Sequence, residues 1–242
     1  MSKVLKGFAL SLSMLTTLPF FRVHDFYKGI NGYAVMFYPL VGFILGSVLY
    51  GVYALLMSYF PHFHLAAIIF ALWVVLTGAL HLDGFADTID GLFVPKERAL
   101  EVMKDPHNGG MGVTFSVVFL ILKASSLVAL PNYAYALLPL VLLLPRLMIV
   151  FCIYFFPYVS GGMSTIAKEE LQSTQVFMAS LYSLLFIFLY NGWFLLIGAV
   201  VLLLLVKRFF IKRYGGFTGD IYGFTIEVTE LLLLNLIILG LA

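Results

Sequence analysis

The sequence predicts an all-α fold: a polytopic helical bundle in a lipid bilayer, with about seven transmembrane helices and an N-terminal helix that re-enters or lies along the membrane. Three observations predict it. Of the 242 residues, 62% are hydrophobic and only 11% charged, and mean hydropathy is +1.06, far from the roughly one-quarter charged composition of soluble domains. The apolar residues fall in runs long enough to cross a hydrocarbon core, which takes about 20 helical residues. Lysine and arginine fall almost entirely on one side of those runs, as the positive-inside rule requires. The length is that of one domain, residues 1–242. A net charge of +2 with 14 scattered Lys and Arg excludes a nucleic-acid-binding face. The one cysteine, Cys152, excludes an internal disulfide and reads as a buried packing residue.

Taken in order, Val4 to Phe21 has the basic residues Lys3 just before it and Lys6 near its start. No small-residue cleavage site follows its apolar middle, and Pro19 to Arg22 reads as a turn, so it is assigned as an interfacial or re-entrant helix rather than a signal peptide. Spans follow at Tyr33 to Phe60, His64 to Leu82, Met111 to Leu130 and Tyr133 to Phe156. Gly42 and Gly46 in the first of these form a GxxxG helix-packing pair. The run from Ser173 to Phe210 contains Asn191-Gly192. As one helix its apolar part would be about 46 Å long against a core of about 30 Å, so two helices joined at an Asn-Gly turn are expected. A last span covers Ile221 to Ala242. With seven spans, residues 22–32, 83–110, 157–172 and 211–219 share one side and, with the flanking helix end at Lys207 and Arg208, hold ten of the 14 Lys and Arg, while the opposite links hold none. That side is expected to be cytoplasmic, and the membrane the inner one.

The acidic residues are concentrated. Six of the 12 lie between Asp83 and Asp105, and Asp220, Glu227 and Glu230 add three more. In HLDGFADTIDG, Asp83, Asp87 and Asp90 are spaced i, i+4, i+7, which places three carboxylates within an arc of about 60° on a helix. Like charges on one face repel unless a cation holds them. A hard divalent ion such as Mg²⁺ is the natural partner, since it bridges carboxylates to substrate phosphates. A solvated acidic helix is the bland alternative. Against it, Leu82, Phe85, Ala86, Ile89 and Leu92 interleave the aspartates, so the opposite face is buried.

Asp220, Glu227 and Glu230 share a face of the last span within about 80°. Charges at such depth are costly and functional by default. Lys123 and Arg146 lie equally deep, so Glu230 reads either as their ion-pair partner or as part of the site, while Glu227, nearer the mouth, is assigned to the site. His81 fits a general base, a hydrogen-bond partner or a packing histidine. Lys104 to Gly112, KDPHNGGMG, is a cationic glycine-bearing loop of the kind that holds phosphate on backbone amides, and includes Asp105 and His107. His62 and His64 read as interfacial only. The pattern fits metal-assisted phosphoryl transfer, or a cation transporter, although repeated halves are missing.

At His81 to Gly91 the sequence resembles the cobalamin synthase family, the adenosylcobinamide-GDP ribazoletransferases. The likeness continues through LTTLPF (Leu15 to Phe20), YPLVGFILG (Tyr38 to Gly46), TGALHLDG (Thr77 to Gly84), MKDPHNGGMGV (Met103 to Val113), Lys123, Arg146 and TGDIYGFTIEVTE (Thr218 to Glu230). The resemblance implies a membrane enzyme that joins α-ribazole, or its 5′-phosphate, to adenosylcobinamide-GDP with Mg²⁺, giving adenosylcobalamin or its phosphate and GMP. It implies His81 and Asp83 as catalytic, Asp83, Asp87, Asp90, Asp220 and Glu227 as metal ligands, and Lys104, Asp105, His107, Lys123, Arg146 and Glu230 as substrate contacts. A homo-oligomer is compatible with it. Where the family carries arginine, this chain has Thr17, His107 and Ser160, and Met163-Ser164-Thr165 replaces a Gly-Leu-Gly, so three bidentate phosphate contacts are lost. The nearest rival is a CDP-alcohol phosphatidyltransferase, but Leu92 to Pro95 replaces the Ala-Arg pair that should follow Asp87 to Gly91.

Overall fold

A computed structural model of the chain describes residues 3–18, 27–107, 109–160 and 163–241. The expected Pro19 to Arg22 turn, Asn108 and Ala242 lie outside them. Among the described residues twelve α-helices follow in order: α1 (Lys3–Leu15), α2 (Ile30–Met36), α3 (Tyr38–Leu56), α4 (His62–Thr77), α5 (Leu80–Leu92), α6 (Lys96–Val102), α7 (Gly110–Ala129), α8 (Leu138–Phe155), α9 (Met163–Glu170), α10 (Ser173–Leu189), α11 (Trp193–Tyr214) and α12 (Gly219–Leu241). A 3₁₀ turn, Asn132–Leu137, leads into α8. Among the described residues there is no strand, only an isolated bridge between Tyr158 and Phe217.

Among the described residues five helical segments are long and apolar enough to cross a membrane alone, and up to seven if each of two bent pairs counts as one span. The bundle is therefore polytopic, as the hydropathy predicts. In the bent pairs, α4 meets α5 at 84°, and α9 meets α10 at 96°. The Asn-Gly turn is also as expected: Asn191 takes a left-handed φ of 50°, and α10 ends before it.

α8 is the central helix, with 83% of its spanning window buried. It accepts α3 at the GxxxG pair, where a Cβ on Gly42 would collide with the Leu142 carbonyl and Arg146, and one on Gly46 with the Leu138 carbonyl. At one end of the bundle, His62 joins three helices: its ring meets the Tyr53 hydroxyl at 3.0 Å and the Val128 carbonyl at 3.0 Å, while Tyr53 donates to Asn132. The interfacial reading of His62 left this out. α1 has 13 residues, about 20 Å, too short to span, and packs on α2 where Gly7 meets Tyr33.

The apolar run from His64 to Leu82 does not form one helix. α4 stops at Thr77 because Gly78 and Ala79 both adopt left-handed conformations, φ 59° and 55°. For alanine this backbone is strained. It turns α5 away from the direction of α4, so the acidic motif lies across the bundle instead of continuing a crossing.

Candidate active site

α5 is fixed on three sides. It crosses α12 at two glycines, where a Cβ on Gly84 would lie 2.9 Å from the Asp220 carbonyl and one on Gly223 would lie 2.9 Å from the His81 carbonyl. Only glycine permits so close a backbone approach. Carbonyls at its C-terminus and just past it are satisfied from α11, where Arg213 donates to Leu92 and Val94 and the Tyr214 hydroxyl donates to Gly91 at 3.0 Å. On the third side the Gly109 and Gly112 N–H groups, at the start of α7, both donate to the Asp90 carboxylate at 2.8 Å. A carboxylate at a helix N-terminus is favoured by the orphan amides and the helix dipole.

The first of these contacts, between α5 and α12, borders a cavity of about 490 Å³, within the usual range for small-molecule sites. His81 and Asp83 line it from α5, Arg146 from α8, and Asp220 and Tyr222 from α12, with apolar walls from Met14, Ile149 and Ile226. Residues far apart in the chain thus meet at one place. Asp83 is exposed and Asp220 partly so, while Arg146 is fully buried and His81 nearly so. Asp87 lies just beyond, and burial together with the charges of Asp83, Asp220 and Asp90 pushes its carboxyl up to about 7. The carboxylates therefore crowd one another.

The remaining predicted residues are engaged elsewhere. Asp90 is bonded to the α7 amides, so two of the amides of the KDPHNGGMG loop face a carboxylate. Glu227 and Glu230 bind Lys123, the former at 2.6 Å, and Glu230 also accepts from Arg146 Nη1 at 2.8 Å. The ammonium of Lys123 lies over the Trp73 ring, 4.4 Å from its centroid. Lys104, Asp105 and His107 are exposed and outside the cavity lining; His107 bonds Asp105 at 2.9 Å, and Lys104 lies within electrostatic reach of Asp220. Of the residues expected to replace family arginines, Thr17 donates to the Val75 carbonyl and the Ser160 carbonyl accepts from Thr165.

Among the described residues no group of three His, Cys, Asp or Glu side chains is already arranged around one point as a metal cage. Magnesium does not require one, because it is held by one or two carboxylates with water and substrate phosphates completing the shell. The oxygen-donor chemistry and mutual crowding of Asp83, Asp87 and Asp220 fit such an ion. Sequence reasoning missed Gly84, Gly223 and Tyr222. All three lie inside the motifs quoted above, but nothing in the spacing separates a close-packing glycine from a turn glycine.

Comparison with known proteins gives the chain's family. Curated proteins named adenosylcobinamide-GDP ribazoletransferase are 37% identical over 94% of this chain and 94% of the relative in Acinetobacter baumannii, 38% over 82% and 83% in Desulfitobacterium hafniense, and 41% over 81% and 82% in Thermosynechococcus vestitus. No solved structure matches. The family described as cobalamin-5-phosphate synthase matches residues 7–238, nearly the whole length, and the chain belongs to that family.

Proposed function

We propose that the protein transfers the phosphoryl-cobinamide group of adenosylcobinamide-GDP to α-ribazole or its 5′-phosphate, releasing GMP. Family membership supports the reaction. The observation that carries it to particular residues is that Asp83, Asp220, His81 and Arg146, from three helices, line one cavity.

Asp83 and Asp220, the two carboxylates at the cavity, are the residues that would hold Mg²⁺, with Asp87 beside them. Asp90 and Glu227, expected beside them, have other partners in the structure. The ion, when bound, neutralises diphosphate charge. The chain's own residues do the rest. The apolar walls exclude water, which would otherwise compete with the ribose hydroxyl as nucleophile. The hydroxyl oxygen attacks the cobinamide-side phosphorus; a new P–O bond forms, the bond to the bridging diphosphate oxygen breaks, and GMP leaves with that electron pair. The hydroxyl proton passes to His81, which lines the cavity and whose buried Nδ1 has no partner among the described residues.

The site faces the cytoplasm, and the membrane is the inner one; the one-sided distribution of Lys and Arg supports both. Incubating the purified protein with Mg²⁺, adenosylcobinamide-GDP and α-ribazole tests the function. GMP formed with the cobamide in equal amounts is expected. Activity on CDP-alcohols instead, or ion flux in vesicles without GMP, would replace this reading with the phosphatidyltransferase or the transporter.

A further inference from the structure

Arg146 is the one arginine lining the cavity, and no lysine joins it there among the described residues. Its side chain is wholly buried. Nη1 is satisfied by the Leu142 carbonyl and Glu230, both at 2.8 Å, but Nε and Nη2 have no partner among the described residues. Three N–H groups of a buried guanidinium are thus left unmet, when buried polar groups are nearly always paired. The free groups are the Nε/Nη2 edge, the fork that matches two oxygens of a phosphate. Two further polar atoms at the same cavity are also without partners among the described residues, the Tyr222 hydroxyl and His81 Nδ1. Glu230 anchors the guanidinium from behind, fixing which edge it presents.

We infer that Arg146 is the phosphate-recognising residue of this cavity, binding a substrate phosphate bidentately through Nε and Nη2 on the wall opposite in charge to Asp83 and Asp220. The inference rests on the proposed reaction for the origin of the phosphate. Two substrate groups have this chemistry, the 5′-phosphate of ribazole phosphate and the diphosphate of adenosylcobinamide-GDP.

Arg146→Lys separates a phosphate fork from a structural cation, because lysine keeps the charge beside Glu230 and loses the planar edge. The variant is expected to unfold in detergent within a few degrees of the parent, and to raise a KM on the order of 10–100-fold with a smaller change in kcat. If the contact is the 5′-phosphate, KM rises for α-ribazole 5′-phosphate and is unchanged for α-ribazole. If it is the diphosphate, KM for adenosylcobinamide-GDP rises with either acceptor. Thermal unfolding with inorganic pyrophosphate and no other substrate reads the same contact without turnover: the parent is stabilised and Arg146→Lys is not. A folded Arg146→Lys protein with unchanged KM values and undiminished pyrophosphate stabilisation overturns the inference. An inactive parent that pyrophosphate still stabilises through Arg146 would overturn the proposed reaction and leave the phosphate contact standing.

Discussion

Gly84 on α5 and Gly223 on α12 pack backbone against backbone: a Cβ on Gly84 would lie 3.3 Å from the Gly223 Cα, and one on Gly223 would lie 3.2 Å from the Gly84 Cα. The neighbours of these glycines are the residues of the cavity. Asp83 precedes Gly84, and Asp220 lies three residues, just under one turn, before Gly223. Helix packing and carboxylate placement are therefore one feature.

Gly84→Ala tests that coupling. The added methyl sits 2.9 Å from the Asp220 carbonyl and 3.0 Å from its Cα, backbone atoms that cannot swing aside. Overpacking of this kind costs about 1–3 kcal/mol. The thermal midpoint should fall, and kcat should fall further than the folded fraction does, because the two aspartates are pushed apart. Gly51, whose Cβ would meet nothing within 4 Å, supplies the control: Gly51→Ala should leave the rate of GMP release unchanged.

Replacing Asp83 or Asp220 with Asn should cut turnover sharply and spare the fold. Asp83 is exposed and crowded by like charge, so neutralising it relieves repulsion. A loss on the order of 10²–10³-fold in kcat is expected, the scale for removing a charge-stabilising group. Unfolding with and without Mg²⁺ supplies the second reading. Magnesium should raise the parent's midpoint and leave both variants unmoved; stabilisation that survives in Asp220→Asn would remove that residue from the ion's surroundings.

The apolar runs carried the fold because lipid leaves the chain few choices: every backbone amide must be bonded within a helix, so run length alone locates most spans. The acidic cluster was legible for a related reason, since like charges interleaved with apolar residues demand a partner. What the sequence could not supply is competition among partners. Asp90 has the same spacing as Asp83 and Asp87, yet the α7 amides claim it. Glu227 shares a face with Asp220, yet Lys123, more than a hundred residues earlier, reaches it first. The break at Gly78-Ala79 was hidden too, because alanine gives no sign that it will adopt a left-handed backbone.

The pH dependence of magnesium binding should report on Asp87. Burial and three neighbouring carboxylates push this group up to about 7. Its folded value thus lies above its unfolded one, so between about pH 4 and pH 7 the native chain keeps a proton that the unfolded chain has released. In the absence of metal this contribution stabilises the fold at low pH and is lost as pH rises through 7. A cation must displace the same proton, so apparent Mg²⁺ affinity should strengthen from pH 6 to about 7.5 and then level off, approaching tenfold per unit on the acid side. Midpoints measured against Mg²⁺ concentration at several pH values test this, and Asp87→Asn should flatten the profile.

The buried network decides between the two roles of Glu227. Lys123 neutralises Glu227, and Glu230 is shared between Lys123 and Arg146, so two cations and two anions balance inside the bundle. Lys123→Met leaves Glu227 facing no cation in direct contact, and breaking one side of a buried pair costs about 3–5 kcal/mol. Its thermal midpoint should drop sharply. Adding Glu227→Gln to that variant removes the uncompensated charge, so much of the loss should be recovered, as it would not be if the two residues acted independently. The same double variant addresses the metal. A Glu227 that only balances Lys123 can be neutralised with no change in the magnesium-dependent rise in midpoint, whereas a Glu227 that binds the ion would take that rise with it.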